Sequence, residues 1–218
     1  MSYRYEATTL EGFIQILAAN YIPRGYRFYV TGLVPESKDP LEVDRKLVAK
    51  YGIDLSPWAR SRRKRAGGAN VQYLRHGRFF VLLATEGRHP IFQEERDIHE
   101  FDEHPLRYGG YSLSHRYSPV TKRWHASVRI DRERYLELRA HFTELALHRS
   151  VEALTVELRE LPFAPFAPVR RQFLNLLRLV NKMRRGAGYE MVPTSALRLR
   201  RKPVKVYRRG SADLKEAA

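Results

Sequence analysis

Residues 79–84 form an almost continuously apolar run, from Phe79 to Ala84. Side chains alternate between the two faces of a strand, so a strand with one wet face would alternate apolar and polar residues. The run therefore predicts a strand that is covered on both faces or lies centrally in its sheet. Residues 71–75 are a second strand-like run, and His76-Gly77 between the two resembles a two-residue hairpin turn.

Three further segments have strand character. Residues 26–34 are rich in aromatic and β-branched side chains and end at Pro35, which predicts a central strand. Residues 109–115 and 124–130 alternate apolar and polar side chains on either side of Ser118-Pro119, which predicts a second hairpin. We therefore expect about five strands.

Helical spacing of apolar side chains marks the remaining elements. A short helix is predicted over residues 8–20 with Thr8 or Thr9 as its cap, and another between Asp39 and Gly52. Three helices are predicted in the last third of the chain, two of them capped by Asp131 and Ser150 and the third spanning residues 169–185.

This order of elements predicts an α+β fold: a mixed or antiparallel sheet of about five strands covered by helices, with a helical C-terminal third and a basic tail. It fits a ferredoxin-like or related sandwich, in which helices cover one face of the sheet and leave the other available. We expect an α+β domain over residues 1–149 with a basic loop near 58–68, a helical region over 150–190 packed on it, and an extended basic arm over 191–218.

The charge of the chain indicates its partner. The 218 residues include 40 Lys and Arg against 24 Asp and Glu, a formal net charge of +16. A compact body with this excess repels itself at low salt, whereas phosphates neutralise it and release their counterions. Hydrophobic residues make up 43% of the chain, enough for a folded core. The composition therefore predicts a folded protein that binds nucleic acid.

The cations cluster first in residues 60–65, beside the double glycine Gly67-Gly68 and without apolar periodicity. This pattern predicts an exposed basic loop that contacts the phosphate backbone, with Trp58 and Tyr73 nearby as stacking surfaces. A solvated surface loop or a localisation signal is the alternative. The candidate binding residues are Arg60, Arg62, Arg63, Lys64 and Arg65.

A second basic cluster spans residues 197–209, where apolar and basic residues alternate. It predicts an edge strand or an arm that becomes ordered along nucleic acid, and a disordered tail is the alternative. Further cations lie on the last predicted helix. The candidate binding residues of these regions are Arg170, Arg171, Arg198, Arg200, Arg201, Lys202 and Lys205.

Sheet aromatics are a third candidate, because exposed rings stack on unpaired bases. Arg27, Tyr29 and Thr31 share one face of their strand, and the residues between them share the other. We expect the first face to be open, with Tyr29 as the stacking side chain and Arg27 beside it. Core packing is the alternative for the other sheet aromatics.

Residues 86–104 are rich in carboxylates and histidines, the ligands of Mg²⁺, Mn²⁺ and Zn²⁺. They support an alternative function, a metal-dependent nuclease or strand-transfer protein of a mobile element, with Glu94, Glu95, Asp97 and His99 as ligands. No spacing in the run matches a metal or nucleophile motif. A solvated acidic loop or a contact to the protein's own basic patch is the simpler interpretation, and we expect no metal site.

The absence of cysteine excludes disulfides, thiolate zinc sites and thiol nucleophiles. No Gly-x-x-x-x-Gly-Lys loop, signal-peptide core or long apolar run occurs, so we expect a cytoplasmic protein without a nucleotide cofactor or a membrane partner. RNA is favoured over DNA, because loose basic loops and sheet aromatics suit irregular single strands and no recognition helix is apparent. A basic subunit of a larger ribonucleoprotein is a third hypothesis.

Overall fold

The computed structural model describes residues 4–207. The chain forms two compact units. Unit 1 comprises Met1–Pro105, Ser114–Ala126 and Pro203–Ala218, and unit 2 comprises Leu106–Leu113 and Ser127–Lys202. No helix within residues 4–207 combines the length and the apolar character that crossing a bilayer requires.

Unit 1 is built on a four-stranded antiparallel sheet with the order β2-β3-β1-β4. Two helices connect β1 to β2, and one short helix connects β3 to β4. This β-α-β-β-α-β connectivity is the ferredoxin-like arrangement. The strands are β1 (Tyr26–Leu33), β2 (Val71–His76), β3 (Phe79–Thr85) and β4 (His99–Glu100), and the connecting helices are α2 (Pro40–Lys50), α3 (Pro57–Arg65) and α4 (Ile91–Glu94).

Both faces of this sheet are covered. On one face, Val30, Tyr73 and Leu82 form a buried cluster with residues that follow α2 and with α4. The N-terminal helix α1 (Leu10–Ile16) covers the other face, where its Phe13 ring meets Phe79 edge-on at 5.9 Å. The prediction for residues 79–84 is therefore confirmed. The expectation that one face stays open is wrong, because α1 buries its own apolar stripe there.

Local signals were reliable in unit 1. Thr9 accepts a hydrogen bond from the Gly12 amide and Asp39 accepts one from the Leu41 amide, so both predicted caps are confirmed. The α1 helix is shorter than predicted, because the chain continues as a π-helical turn over Leu17–Tyr21. The hairpin of β2 and β3 turns at Gly77, as predicted.

A second antiparallel sheet has the order β5-β6-β7, and the predicted second hairpin is its β6–β7 pair. The α+β class is confirmed, but residues 4–207 contain seven strands in two sheets rather than about five in one. The strands that the sequence did not indicate, β4 and β5, have too few residues to show a periodic pattern. The second sheet consists of β5 (Leu106–Tyr108), β6 (Tyr111–Ser118) and β7 (Arg123–Ile130).

Three helices form most of unit 2, which confirms the helical C-terminal third: α5 (Arg132–His148), α6 (Val151–Arg159) and α7 (Ala167–Gly186). Asp131 and Ser150 cap α5 and α6 as predicted. The apolar stripe of α7 is buried, and that of α5 is buried at Leu138, Phe142 and Ala146. Arg184 near the end of α7 is buried, and its guanidinium donates to the carbonyls of Ala146 and Arg149 at the end of α5.

Candidate nucleic-acid interface

The basic segment of residues 60–65 is part of helix α3, not a loop. Ser56 caps the helix by accepting a hydrogen bond from the Ala59 amide at 3.2 Å, and Pro57 occupies the first turn. Four cations fill the last turn, where they complement the negative end of the helix dipole. The exposure expected of these residues is confirmed for most of them, while Arg60 and Arg63 are half-buried.

The α3 cations have no acidic partners: within residues 4–207, none of the five pairs with a carboxylate. Arg60 donates to the Leu55 carbonyl at 2.7 Å, and Arg62 lies 4.6 Å from the centre of the Trp58 ring. Trp58 is 66% exposed. The outer face of α3 therefore combines free positive charge with an accessible indole.

Arg88 adds a cation that sequence reasoning missed. The chain after α3 pairs with the strand-like segment around Arg88, whose amide donates to the Gly67 carbonyl at 3.0 Å. At Gly87, φ is +131°, and a Cβ would lie 2.6 Å from the Ala69 nitrogen. The double glycine that flanks the basic segment is the signal that could have predicted this close approach of two backbones.

The segment after Arg88 forms an open groove of about 510 Å³. His89 at this groove accepts a hydrogen bond at Nδ1 from the Ile91 amide, so Nε2 carries the proton and donates to the Tyr51 carbonyl at 3.2 Å. Burial lowers the pKa of His89. The imidazole is therefore a neutral structural group. The groove is lined by Gly87, Arg88, His89, Pro90, Phe92 and Gln93.

Tyr29 is not an open stacking surface. Its side chain is 5% exposed, its hydroxyl donates to the His104 carbonyl at 2.8 Å, and its ring centre lies 4.5 Å from that of Phe101. Burial raises the pKa of Tyr29 to about 12. The prediction failed because the turn that follows β4 covers this part of the sheet.

Arg27 does not lie on the open sheet face beside Tyr29 that the sequence predicted either. The register of β1 shifts between Tyr26 and Phe28, which interrupts the regular alternation of faces at Arg27. Its guanidinium pairs with Glu86 at 2.8 Å and with Asp102 at 3.4 Å. Arg27 is therefore partly neutralised by the protein itself.

The turn region of the β6–β7 hairpin is a second exposed surface of unit 1 that sequence reasoning missed. We define residues 116–125 as the hairpin tip. Nine of these ten residues are exposed, and the sequence there contains no Asp or Glu. Alternation of basic and aromatic residues was the available signal. The tip carries Arg116, Tyr117, Lys122, Arg123, Trp124 and His125.

In unit 2, the predicted C-terminal cations gather around the loop before α7. Arg170 donates to the Pro165 carbonyl at 3.2 Å, Arg201 lies 4.7 Å from the centre of the Phe166 ring, and Arg198 donates to the Leu161 carbonyl at 2.7 Å. The segment is thus anchored to the protein here. The remaining predicted cations of unit 2 are exposed: Arg171, Arg200 and Lys202.

The last described part of the predicted arm belongs to unit 1. The Thr8 amide donates to the Val206 carbonyl at 2.9 Å, and the Gln15 side chain donates to the Val204 carbonyl at 2.9 Å. Lys205 between them is exposed. This stretch is held by the protein's own hydrogen bonds, while the end of the arm, with Arg208 and Arg209, lies outside the described residues.

The residues of the nuclease hypothesis are not brought together. Glu94 pairs with Lys50 at 2.9 Å, and Glu95 accepts a hydrogen bond from the Tyr51 hydroxyl. The His99 ring lies beside Tyr29 instead. In the part of the chain that the structure describes, no group of three or more His, Cys, Asp or Glu side chains could hold a metal ion.

Comparisons with known proteins identify no relative of this chain. No family model matches it, and neither a curated protein nor a solved structure is significantly similar.

Proposed function

We propose that this protein binds nucleic acid, with single-stranded RNA favoured over DNA, by contacting the phosphate backbone through α3 and Arg88. The observation that carries the proposal is the set of α3 cations that find no carboxylate partner in the described part of the chain. One or two cations would suffice to complement the dipole of a nine-residue helix. The others repel one another unless an external anion neutralises them.

Trp58 supports a preference for single strands. An indole that is 66% exposed beside Arg62 offers a stacking surface for an unpaired base. The basic loop and the open sheet face that favoured RNA in the sequence are not present, since α3 is a helix and Tyr29 is buried. The preference for single strands depends instead on the exposed Trp58.

The connection between α2 and α3 argues against reading of duplex DNA by a helix-turn-helix. Six residues separate the two helices, and Tyr51 and Ile53 among them are buried. A helix-turn-helix uses a turn of about three or four residues. Base readout by α3 in a major groove is therefore disfavoured relative to backbone contact.

Charge reversal tests the proposal. In anisotropy titrations with fluorescent single-stranded RNA, the triple variant Arg62→Glu, Lys64→Glu and Arg65→Glu should bind at least about tenfold more weakly. The slope of log K against log salt should fall by about 2, since each lost contact with a single strand removes about 0.7. Single-stranded DNA and duplexes of both kinds complete the comparison.

A control variant distinguishes the effect of the α3 cations on binding from the effect of the protein's net charge. Reversal of three exposed arginines of α5 and its end, Arg132→Glu, Arg139→Glu and Arg149→Glu, makes the same change in net charge. We expect it to weaken binding much less. Equal losses in both variants, or unchanged affinity of the α3 variant, would contradict the assignment of the interface to α3.

A further inference from the structure

The hairpin tip resembles α3 in its chemistry. Its cations Arg116, Lys122 and Arg123 are exposed, and within residues 4–207 none of them pairs with a carboxylate. Its apolar side chains are exposed as well: Val120 is 93% exposed and Tyr117 is 50% exposed. A surface of this composition is costly to leave in water and is suited to a partner with negative charge and flat apolar rings.

Trp124 is the centre of this surface. The His115 ring stacks on the indole with centres 4.8 Å apart and an angle of 29°, and the Tyr117 ring meets it edge-on at 5.7 Å. The indole is nevertheless 49% exposed. It is therefore supported from the protein side and keeps area for a further ring, so that little order has to be imposed on binding.

Unused hydrogen-bonding groups lie at the foot of the tip. Arg27 Nε, Asp102 Oδ1 and His115 Nδ1 are buried and have no hydrogen-bond partner among residues 4–207. Arg27 contacts Asp102 and lies 5.8 Å from the centre of the Trp124 ring, and its charge and that of Asp102 both act on His115. Unpartnered buried polar groups are costly in a native structure, and they mark places where a polar ligand can bind.

Contacts within unit 1 connect α3 to Trp124. The Gly67 carbonyl, directly after α3, accepts from the Arg88 amide, and Glu86, two residues before Arg88, pairs with Arg27. Arg27 in turn faces Trp124. α3 and Trp124 are therefore linked through the segment of Glu86 and Arg88 and through Arg27, all within unit 1.

We propose that the hairpin tip is a second contact for single-stranded nucleic acid, in which an unpaired base stacks on Trp124 while Arg116, Lys122 and Arg123 contact the backbone. The proposal rests on the proposed function and extends it from α3 to a second surface of unit 1. The occupant is an unpaired strand rather than a duplex, because the bases of a duplex are stacked on one another and cannot cover the indole.

Tryptophan fluorescence provides a direct test, because the chain has two tryptophans, one on each surface. In Trp58→Phe, Trp124 is the sole tryptophan. We expect its emission to be quenched on titration with a single-stranded oligonucleotide of about 12 nucleotides, within the range of known single-strand sites. A duplex of the same sequence should leave it nearly unchanged. Absence of quenching at saturation would overturn the stacking.

Affinity measurements on the otherwise unchanged full chain give the second readout. Trp124→Ala should weaken single-strand binding roughly 10- to 100-fold, the loss of one stacked base, and Trp124→Phe should retain most of the affinity. Leu33→Ala is the matched control, since Leu33 is a 70% exposed apolar residue of unit 1. Circular dichroism and thermal melting confirm that each variant is folded.

The two proposals fail in distinguishable ways. If Trp124→Ala binds like Leu33→Ala while the α3 charge reversal abolishes binding, the hairpin tip is not a contact and the proposed function stands. If wild-type protein binds no single strand, the proposed function fails and the hairpin proposal fails with it. Loss of duplex and single-strand affinity to the same extent in Trp124→Ala would also contradict base stacking.

Discussion

Arg75 and Asp44 form a buried ion pair between β2 and α2: Arg75 Nε lies 2.9 Å from Asp44 Oδ1, and Nη2 lies 2.9 Å from Oδ2. Both side chains are almost completely inaccessible. The Tyr73 hydroxyl donates to the same carboxylate at 2.6 Å, and desolvation with this carboxylate raises the pKa of Tyr73. The pair therefore fixes helix α2, which precedes α3 in the chain, onto the sheet.

Removal of one partner of this pair should be strongly destabilising. We expect Asp44→Ala to lower the free energy of unfolding by about 3–5 kcal/mol, because it removes the buried carboxylate from the Arg75 guanidinium, whose remaining ion pair with Glu6 is longer, at 3.4 Å. Asp44→Leu combined with Arg75→Met should recover much of that loss. Urea denaturation measures both, and a double variant no more stable than Asp44→Ala would contradict the explanation.

Gly87 should tolerate no side chain. A Cβ there meets backbone atoms of Gly68 and Ala69 below 3 Å at a φ that favours glycine, so Gly87→Ala should cost about 3 kcal/mol. It should also weaken nucleic-acid binding, because it displaces Arg88 from the end of α3. Gly77→Ala, at φ +59° with open space around it, is the control and should cost about 1–2 kcal/mol without affecting binding.

Acidic pH should destabilise unit 1 through His89. Burial lowers its pKa from the ordinary 6.5, so the unfolded chain binds a proton at a higher pH than the folded protein does. The contribution of the neutral imidazole is complete above about pH 6.5 and is lost as the pH falls through the folded pKa. Denaturation from pH 7.5 to 5 should show a shallower decline in His89→Gln than in wild type, and the exposed His148→Gln should behave like wild type.

Tyr29 should matter for stability and not for binding. Tyr29→Phe removes the hydrogen bond to the His104 carbonyl and should cost about 1–2 kcal/mol. Single-strand affinity of the folded variant should equal that of wild type, because the ring is buried. In the same anisotropy assay, Trp58→Ala should bind more weakly than wild type. Weaker binding by a fully folded Tyr29→Phe would restore the sheet face as a contact.

The sequence by itself determined those helix ends and turns that depend on contacts between residues close together in the chain. The caps Thr9, Asp39, Asp131 and Ser150 were readable because a cap contacts an amide two or three residues later. Ser56-Pro57 is such a signal for the start of α3. The helix was nevertheless predicted as a loop, because none of its residues is buried and its basic sequence therefore has no apolar stripe.

The apolar run of residues 79–84 marks the limit of what the sequence by itself could determine. It predicted that β3 is covered on both faces or lies centrally in its sheet, but it could not identify the segments that cover the two faces. Only the tertiary structure decided that α1 covers one of them, that the turn after β4 buries Tyr29, and that Trp58 and Trp124 are among the exposed aromatic side chains of unit 1. The physical reason is that burial depends on contacts between segments far apart in the chain, whereas caps and turns depend on neighbours.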